Sequence, residues 1–272
     1  MSVLTTPCSG SEKESGVGRR SENEKSFAAD ATSHSRWFRL ELASDVMSGT
    51  LPGGGFVRLD AVCADDLSVV NAARVSFGKR VEEMTGAEVG LVNFLMFERH
   101  GSPFEHNFFR FHVKAPIFVV REWFRHRIGW SYNEMSGRYT ELLSEGWVPR
   151  PEDIRSQVGK PGAYTFEPVS PAAATVAIDE IELAYEQAWV TYGGLLSSGV
   201  AKEVARTVLP VGTFTEFYAS CNARSLMAFC SLRNHPNAQA EIRAYAGVLE
   251  DSLAEFMPHT HAAFLKNDRQ SP

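Results

Sequence analysis

The chain has 272 residues, 44% hydrophobic and 22% charged, which suits one globular domain with a full core plus a tail better than two domains. Its formal net charge of -6 argues against a general nucleic-acid binder, so any cluster of cations must serve a local anion. The four cysteines form no CxxC pair, and neither a membrane-length apolar run nor a signal-peptide core is present; a cytoplasmic protein without disulfide framework or zinc ribbon is expected.

Residues 1–55 read as a low-complexity N-terminal extension and linker, and 56–272 as the folded domain. Ser2 to Arg36 holds almost no large apolar residues and cannot bury enough surface to offset the entropy of ordering. Trp37, Phe38, Leu40 and Leu42 could form one short ordered segment, and the glycine-rich run Ser48 to Gly55 reads as a flexible linker. A strand follows at Phe56-Val57-Arg58-Leu59. Asp65 or Asp66 caps a helix through Val69, Ala73 and Val75, and Glu88 to His100 is a second helix. Phe109 to Lys114 alternates as a strand with one buried face. Pro116 fits the first turn of a helix running through Phe124. After a polar stretch rich in Pro and Gly, Ser170-Pro171 opens a long helix with the stripe Ile178, Ile181, Tyr185, Ala188, Trp189 and Tyr192. A helix over Val200 to Leu209, a strand over Thr213 to Cys221, and helices near Ala223 to Arg233 and Ala238 to Met257 complete the order. Helices outnumber strands, so the class is α/β or α+β.

The chemistry concentrates in Arg121 to Arg138, which places four arginines and a histidine within eighteen residues of an acidic protein. Arg121 and Arg125 are four apart, on one face of the helix that Pro116 opens. Like charges about 4 Å apart repel by about 1 kcal/mol even in water. A planar guanidinium donates two parallel bonds to phosphate, and the nearby Ser and Asn suit a sugar or base. The alternative is a solvated cationic face paired to Glu122 and Glu134. A second set is the turn His100 to His106. Its histidines match no familiar metal-ligand spacing, so no metal is expected. A third set has Arg206 near a helix end, Asn222 as an N-cap with Arg224 in the first turn, and Arg233 at the finish of that helix. Asn222 and its two arginines could equally be a cap and two solvated charges.

Arg125-His126-Arg127, then eight residues, then Ser136 resembles the signature of the flavin-dependent thymidylate synthases, the ThyX family. Ala72 to Ser76, the His100 to His106 turn, Phe111 to Val119, Asn222 to Leu226, Leu232-Arg233 and Ala238 to Arg243 extend the likeness, in order, over about Phe56 to Phe264. The resemblance implies a helix-rich ThyX-like mixed domain that methylates dUMP to dTMP. FAD would be the cofactor, NADPH the reductant and 5,10-methylenetetrahydrofolate the carbon donor, in a homotetramer whose sites are shared between chains, with no nucleic-acid or membrane partner. It implies flavin contacts at Ser76, Ser102, Glu105, Arg125, His126, Arg127, Ile128, Asn222 and Arg224. It implies dUMP contacts at Glu122, Arg125, Glu134, Met135, Ser136, Gly137, Arg138, Arg206 and Arg233, with Arg233 favouring ionisation of the uracil. The loop at Gly129-Trp130 carries one residue more than the shorter form of the motif, and Ala228 stands where some relatives place a polar flavin contact. Two other readings remain at this point. One is an RNA-binding module stacking bases on Trp123, Trp130 and Tyr132; the other is a non-catalytic nucleotide-binding protein.

Overall fold

The computed structural model describes residues 41–42, 48–51, 53–161 and 163–272. The tail Ser2 to Arg36, with Trp37, Phe38 and Leu40, lies outside the described residues. β1 (Glu41–Leu42) and β2 (Ser48–Thr50) both pair antiparallel with β3 (Phe56–Cys63). The expected linker Ser48 to Gly55 is therefore one arm and the turn of a hairpin. Gly53 and Gly54 sit at φ +83° and +97°, where only glycine avoids a side-chain clash, and the Leu51 amide donates to the Gly55 carbonyl at 2.8 Å. The glycines that suggested flexibility are turn residues.

A chain beginning at Met47 keeps this hairpin and, among the described residues, loses only the two-residue β1 ladder, Glu41↔Val62 and Leu42↔Ala61. It should fold, with a thermal midpoint close to that of the full chain. Loss of soluble protein on that deletion would show that the extension packs against the domain.

The main sheet is six-stranded and antiparallel, in the order β1-β3-β4-β8-β5 with β2 on β3; β4 is Phe108–Pro116, β5 Trp130–Glu134 and β8 Phe214–Cys221. Alternation decides the faces. Val57, Leu59, Phe109, Phe111, Val113, Phe217 and Ala219 are buried under helices, whereas Arg58, Arg110, His112 and Tyr218 point to the other side. The helices are α1 (Asp66–Arg74), α2 (Gly86–Phe97), α3 (Ile117–Trp123), α4 (Pro171–Ser197), α5 (Lys202–Ala205), α6 (Ala223–Arg233), α7 (Ala240–Phe256) and α8 (Pro258–Lys266). α6 packs on α7, and α8 on α2 and α7. Buried Asp66 accepts the His259 and Thr260 amides at 2.9 and 2.8 Å, tying α1 to the start of α8.

Several sequence expectations hold at their physical origin. Asp65 caps α1 by accepting the Ser68 amide, and Ser170 caps α4 by accepting that of Ala173 at 3.2 Å. Of the long stripe Tyr192 is buried, and Ile178, Ile181, Tyr185, Ala188 and Trp189 are half-buried. Others change. Pro116 ends β4 and is the N-cap of α3, not its first helical residue, because its extended ψ of 145° continues the strand. α3 stops at Trp123, so Arg125 lies in the turn beyond it rather than on a helical face with Arg121. Val200 to Leu209 is the short α5 followed by a 3-10 turn at Arg206–Val208. The polar stretch before α4 contains a separate hairpin, β6 (Arg155–Lys160) with β7 (Ala163–Pro168). β5 and α8 had no counterpart in the sequence reading.

Candidate active site

α6 carries candidate residues at both ends. At its start the Asn222 side chain accepts the Ser225 amide at 2.9 Å, and the Ser225 hydroxyl donates to the Ile128 carbonyl at 3.0 Å. The Arg125 to Gly129 loop is thereby pinned to the helix N-terminus. Gly129 permits this twice over: its φ is +68°, and a Cβ there would lie 2.1 Å from the Ser225 hydroxyl oxygen. Ile128 is 93% exposed beside Arg125 and Arg127. Arg224, in the first turn, pairs with Glu105 at 2.6 Å. Its guanidinium lies over Gly101, where a Cβ would be 2.5 Å from Cζ. Ser102 and Glu105 lie in the 3-10 turn that follows this glycine.

At the other end, Arg233 is held at three points. Its Nε donates to His126 Nε2 at 3.0 Å, one terminal nitrogen donates to Glu122 Oε2 at 2.8 Å, and the other to the Glu122 carbonyl at 3.0 Å. A guanidinium has five N–H groups, so two remain for a ligand. The cleft here has a volume of about 630 Å³, lined by Arg125, His126, Leu232, Arg233 and His235 among others. Burial, then the charges of Arg233 and Arg125, lower the His126 pKa to about 4. The ring is neutral at pH 7, as an acceptor from Arg233 must be.

The sign of the linkage is fixed by that shift. Between pH 6.5 and about 4 the unfolded chain binds a proton that the folded chain does not, so stability falls as pH drops through this window. Above pH 6.5 the contribution is fully present. His126→Gln, which keeps an acceptor near the Nε2 position but does not titrate, should flatten the acid limb. Urea midpoints at pH 7 and pH 5 for both proteins check this; equal losses would refute it.

A third group lies on the β5 exit. The Glu134 carboxylate accepts from Thr215 Oγ1 at 2.9 Å, and the Met135 amide donates to Glu216 at 2.8 Å. The Ser136 hydroxyl accepts the Arg138 amide at 3.3 Å, and the Ser136 carbonyl closes the turn by accepting the amides of Tyr139 and Thr140. Gly137 is buried, and a Cβ on it would lie 3.2 Å from Arg206 Cδ, so glycine lets Arg206 approach the loop. Arg138 reaches Glu203 at 3.4 Å.

The fold thus joins Glu122, His126 and Arg233; Glu105 and Arg224; Gly137 and Arg206; and Asn222 with the Ile128-Gly129 loop. Ser76 donates to the Ala73 carbonyl at 2.9 Å, is exposed, and has no hydrogen bond to any of them. The cationic-face alternative fails in its pairing, because Glu122 binds Arg233 and Glu134 binds Thr215. Arg121, Arg125 and Arg127 have no carboxylate partner among the described residues. Gly101 and Ser225 fall in runs that carry the family likeness but have no role of their own in the sequence; Asn107, whose side chain accepts the Ala223 amide at 2.6 Å, has no local signal at all.

Residues 59–259 match the family described as thymidylate synthase complementing protein. The chain belongs to the flavin-dependent thymidylate synthases. It is 44% identical over 246 residues to the flavin-dependent thymidylate synthase of Streptomyces coelicolor, covering 86% of this chain and 96% of that one. The Thermosipho africanus enzyme is 45% identical over 212 residues, or 78% and 91% of the two chains. Among solved structures, the UMP/dUMP methylase PolB from Streptomyces cacaoi bound with 5-Br dUMP superposes with a TM-score of 0.76. It is 43% identical, over 82% of this chain and 100% of that one. Like its family, this thymidylate synthase is a flavin-dependent methyltransferase. Its Cys221 and Cys230 thiols are buried and their pKa values pushed well up, chiefly by desolvation, so neither supplies a thiolate nucleophile.

Proposed function

We propose that this synthase reductively methylates dUMP to dTMP, with FAD as cofactor, NADPH as reductant and 5,10-methylenetetrahydrofolate as carbon donor. The observation that carries the reading is that Arg121, Arg125 and Arg127 of an acidic chain have no carboxylate partner among the described residues, and that Arg125 lines one cleft with Arg233. That donor set fits the phosphates of a flavin dinucleotide and a nucleotide. In this reading Arg125, Arg127, Ile128, Asn222 and Arg224 hold the flavin, with Ser76, Ser102 and Glu105 nearby. Ser136, Gly137, Arg138 and Arg206 hold the dUMP phosphate and sugar. Bound reduced flavin supplies a hydride. Arg233, held by Glu122 and neutral His126, aims two N–H groups at the uracil and stabilises the charge that develops as C5 becomes nucleophilic.

Ile128 and Leu232 are bare beside the arginines, which supports sites completed by other chains of a homotetramer. The catalytic domain is residues 56–272 in this reading, preceded by an extension, in the cytoplasm. The RNA-binding alternative loses its stacking platform, since Trp123 is fully buried and Trp130 only 9% exposed. Titration of the flavin-free protein with FAD, followed by quenching of flavin fluorescence, should show stoichiometric binding. A well-folded sample that binds no FAD overturns the proposal. Bound flavin that NADPH fails to reduce would favour the non-catalytic nucleotide-binding reading.

A further inference from the structure

We propose that residues 267–272, after α8, are a positioning strap that holds α6 at both ends: Arg224 directly, and Arg233 through Asn234 and Glu250. The proposal rests on the reading of Arg224 as a flavin contact and Arg233 as a uracil contact. Those arginines sit near opposite ends of an eleven-residue helix, about 14 Å apart at 1.5 Å per residue. Their relative placement is therefore set by whatever fixes that helix.

The strap begins in an uncommon backbone. Asp268 and Arg269 have φ of +54° and +57°, a region that residues with side chains adopt only where their surroundings hold them. This turn reverses the chain out of α8 and sends Arg269 inward. Its guanidinium donates to Glu250 Oε1 at 2.7 Å and also to Oε2. Glu250, on α7, is 6% exposed. The same carboxylate accepts the Asn234 side-chain amide at 2.7 Å and meets His261 Nε2 at 3.1 Å. Despite the burial, which opposes it, these partners lower the Glu250 pKa. Asn234 is the C-cap of α6 and the residue after Arg233. A buried carboxylate saturated in this way tolerates little displacement, because each lost partner would leave a charge or a polar group unsatisfied. It thus anchors the chain at the residue next to Arg233.

The strap then crosses to the other end of α6. Gln270 accepts from Arg99. The Ser271 hydroxyl donates to the Arg224 carbonyl at 2.9 Å, and the Pro272 carbonyl accepts Arg224 Nε at 2.7 Å. Both the backbone and the side chain of Arg224 are therefore held by two successive strap residues. With Glu105 taking one further N–H, three remain for an anion. The strap lies beyond residue 259, outside the segment matched to the family, so nothing in the shared pattern assigns it this role.

Two variants separate the ends. A chain stopping after Arg269 keeps the Arg269–Glu250 pair but releases Arg224. Its FAD dissociation constant should rise about tenfold, within the range for groups that share a network, while dUMP affinity of the FAD-saturated protein stays within about twofold. Asn234→Ala should do the reverse: several-fold weaker dUMP binding and lower saturated turnover, with FAD affinity unchanged. Shortening the chain in an Arg224→Ala background should add nothing further to the loss of FAD affinity. If the shortened chain does not fold, full-length Ser271→Ala should still weaken FAD in the same direction by a smaller factor. Equal effects of both variants on both ligands, or additivity with Arg224→Ala, would overturn the strap. If Arg224→Ala by itself leaves FAD affinity intact, the flavin role of Arg224 fails first; if Arg224→Ala weakens FAD but neither shortening nor Ser271→Ala does, the strap alone fails.

Discussion

Arg233→Ala should depress dTMP formation at saturating dUMP by on the order of a hundredfold or more, because in the proposed reading the lost interaction acts on charge present only as C5 attacks. The geometry explains why so much is asked of one side chain. Three of its N–H groups are spent on Glu122 and His126, which fixes the plane of the guanidinium and leaves two donors preorganised. Preorganisation matters because a donor already oriented costs no rearrangement at the transition state. The substitution also strands the Glu122 carboxylate, whose side chain is 25% exposed, so some stability is lost as well. Thermal unfolding of the variant separates that loss from catalysis. Reduction of bound flavin by NADPH should survive better than methylation, since it needs no uracil anion. Single-turnover dTMP formation with saturating dUMP decides the matter; a change in affinity alone, with turnover intact, removes the electrostatic role from Arg233.

Arg138→Ala should act differently, weakening dUMP binding by about 1.5–3 kcal/mol while leaving saturated turnover nearly unchanged. A phosphate contact is as strong in the ground state as in the transition state, so its loss raises the dissociation constant alone. In this chain Arg138 costs little to remove. It is 53% exposed, and its pair with Glu203 at 3.4 Å, itself 56% exposed, is of the kind that adds little stability. Titration of the FAD-saturated variant with dUMP measures the effect. A large fall in turnover at saturation would show that Arg138 touches the reacting ring rather than the phosphate.

Comparison of particular elements shows where local sequence suffices. Asp65, Ser170 and Asn222 cap helices through their own side chains three residues ahead, a relation contained within one turn. β4 alternates from Phe108 to Ala115 between half-buried and buried positions, so its period is plain. β5 is only five residues, and Ser-Tyr-Asn-Glu reads as a loop. It is a strand because β8 pairs with it and Trp130 and Tyr132 find the aromatic cluster around Trp123 and Phe217. The Ser48 to Gly55 run reads as a linker yet forms a hairpin, because the glycines that permit its turn are the same residues that favour a linker.

The sequence by itself marked the residues proposed here to carry the chemistry: the Arg-His-Arg run, the Ser-Gly-Arg loop, and the Asn and two Arg of α6. It did so because order and spacing along a chain survive in any conformation. What each charge faces was decided only by the tertiary structure. Glu122 lies one to five residues from Arg121, Arg125 and Arg127, yet it pairs with Arg233, 111 residues away, and Glu250 joins α6 to the strap. The physical reason is range. Caps and periodicity act within a turn or a strand, whereas an ion pair forms between whichever groups the sheet register and the packing of α3, α6 and α7 bring within about 3 Å.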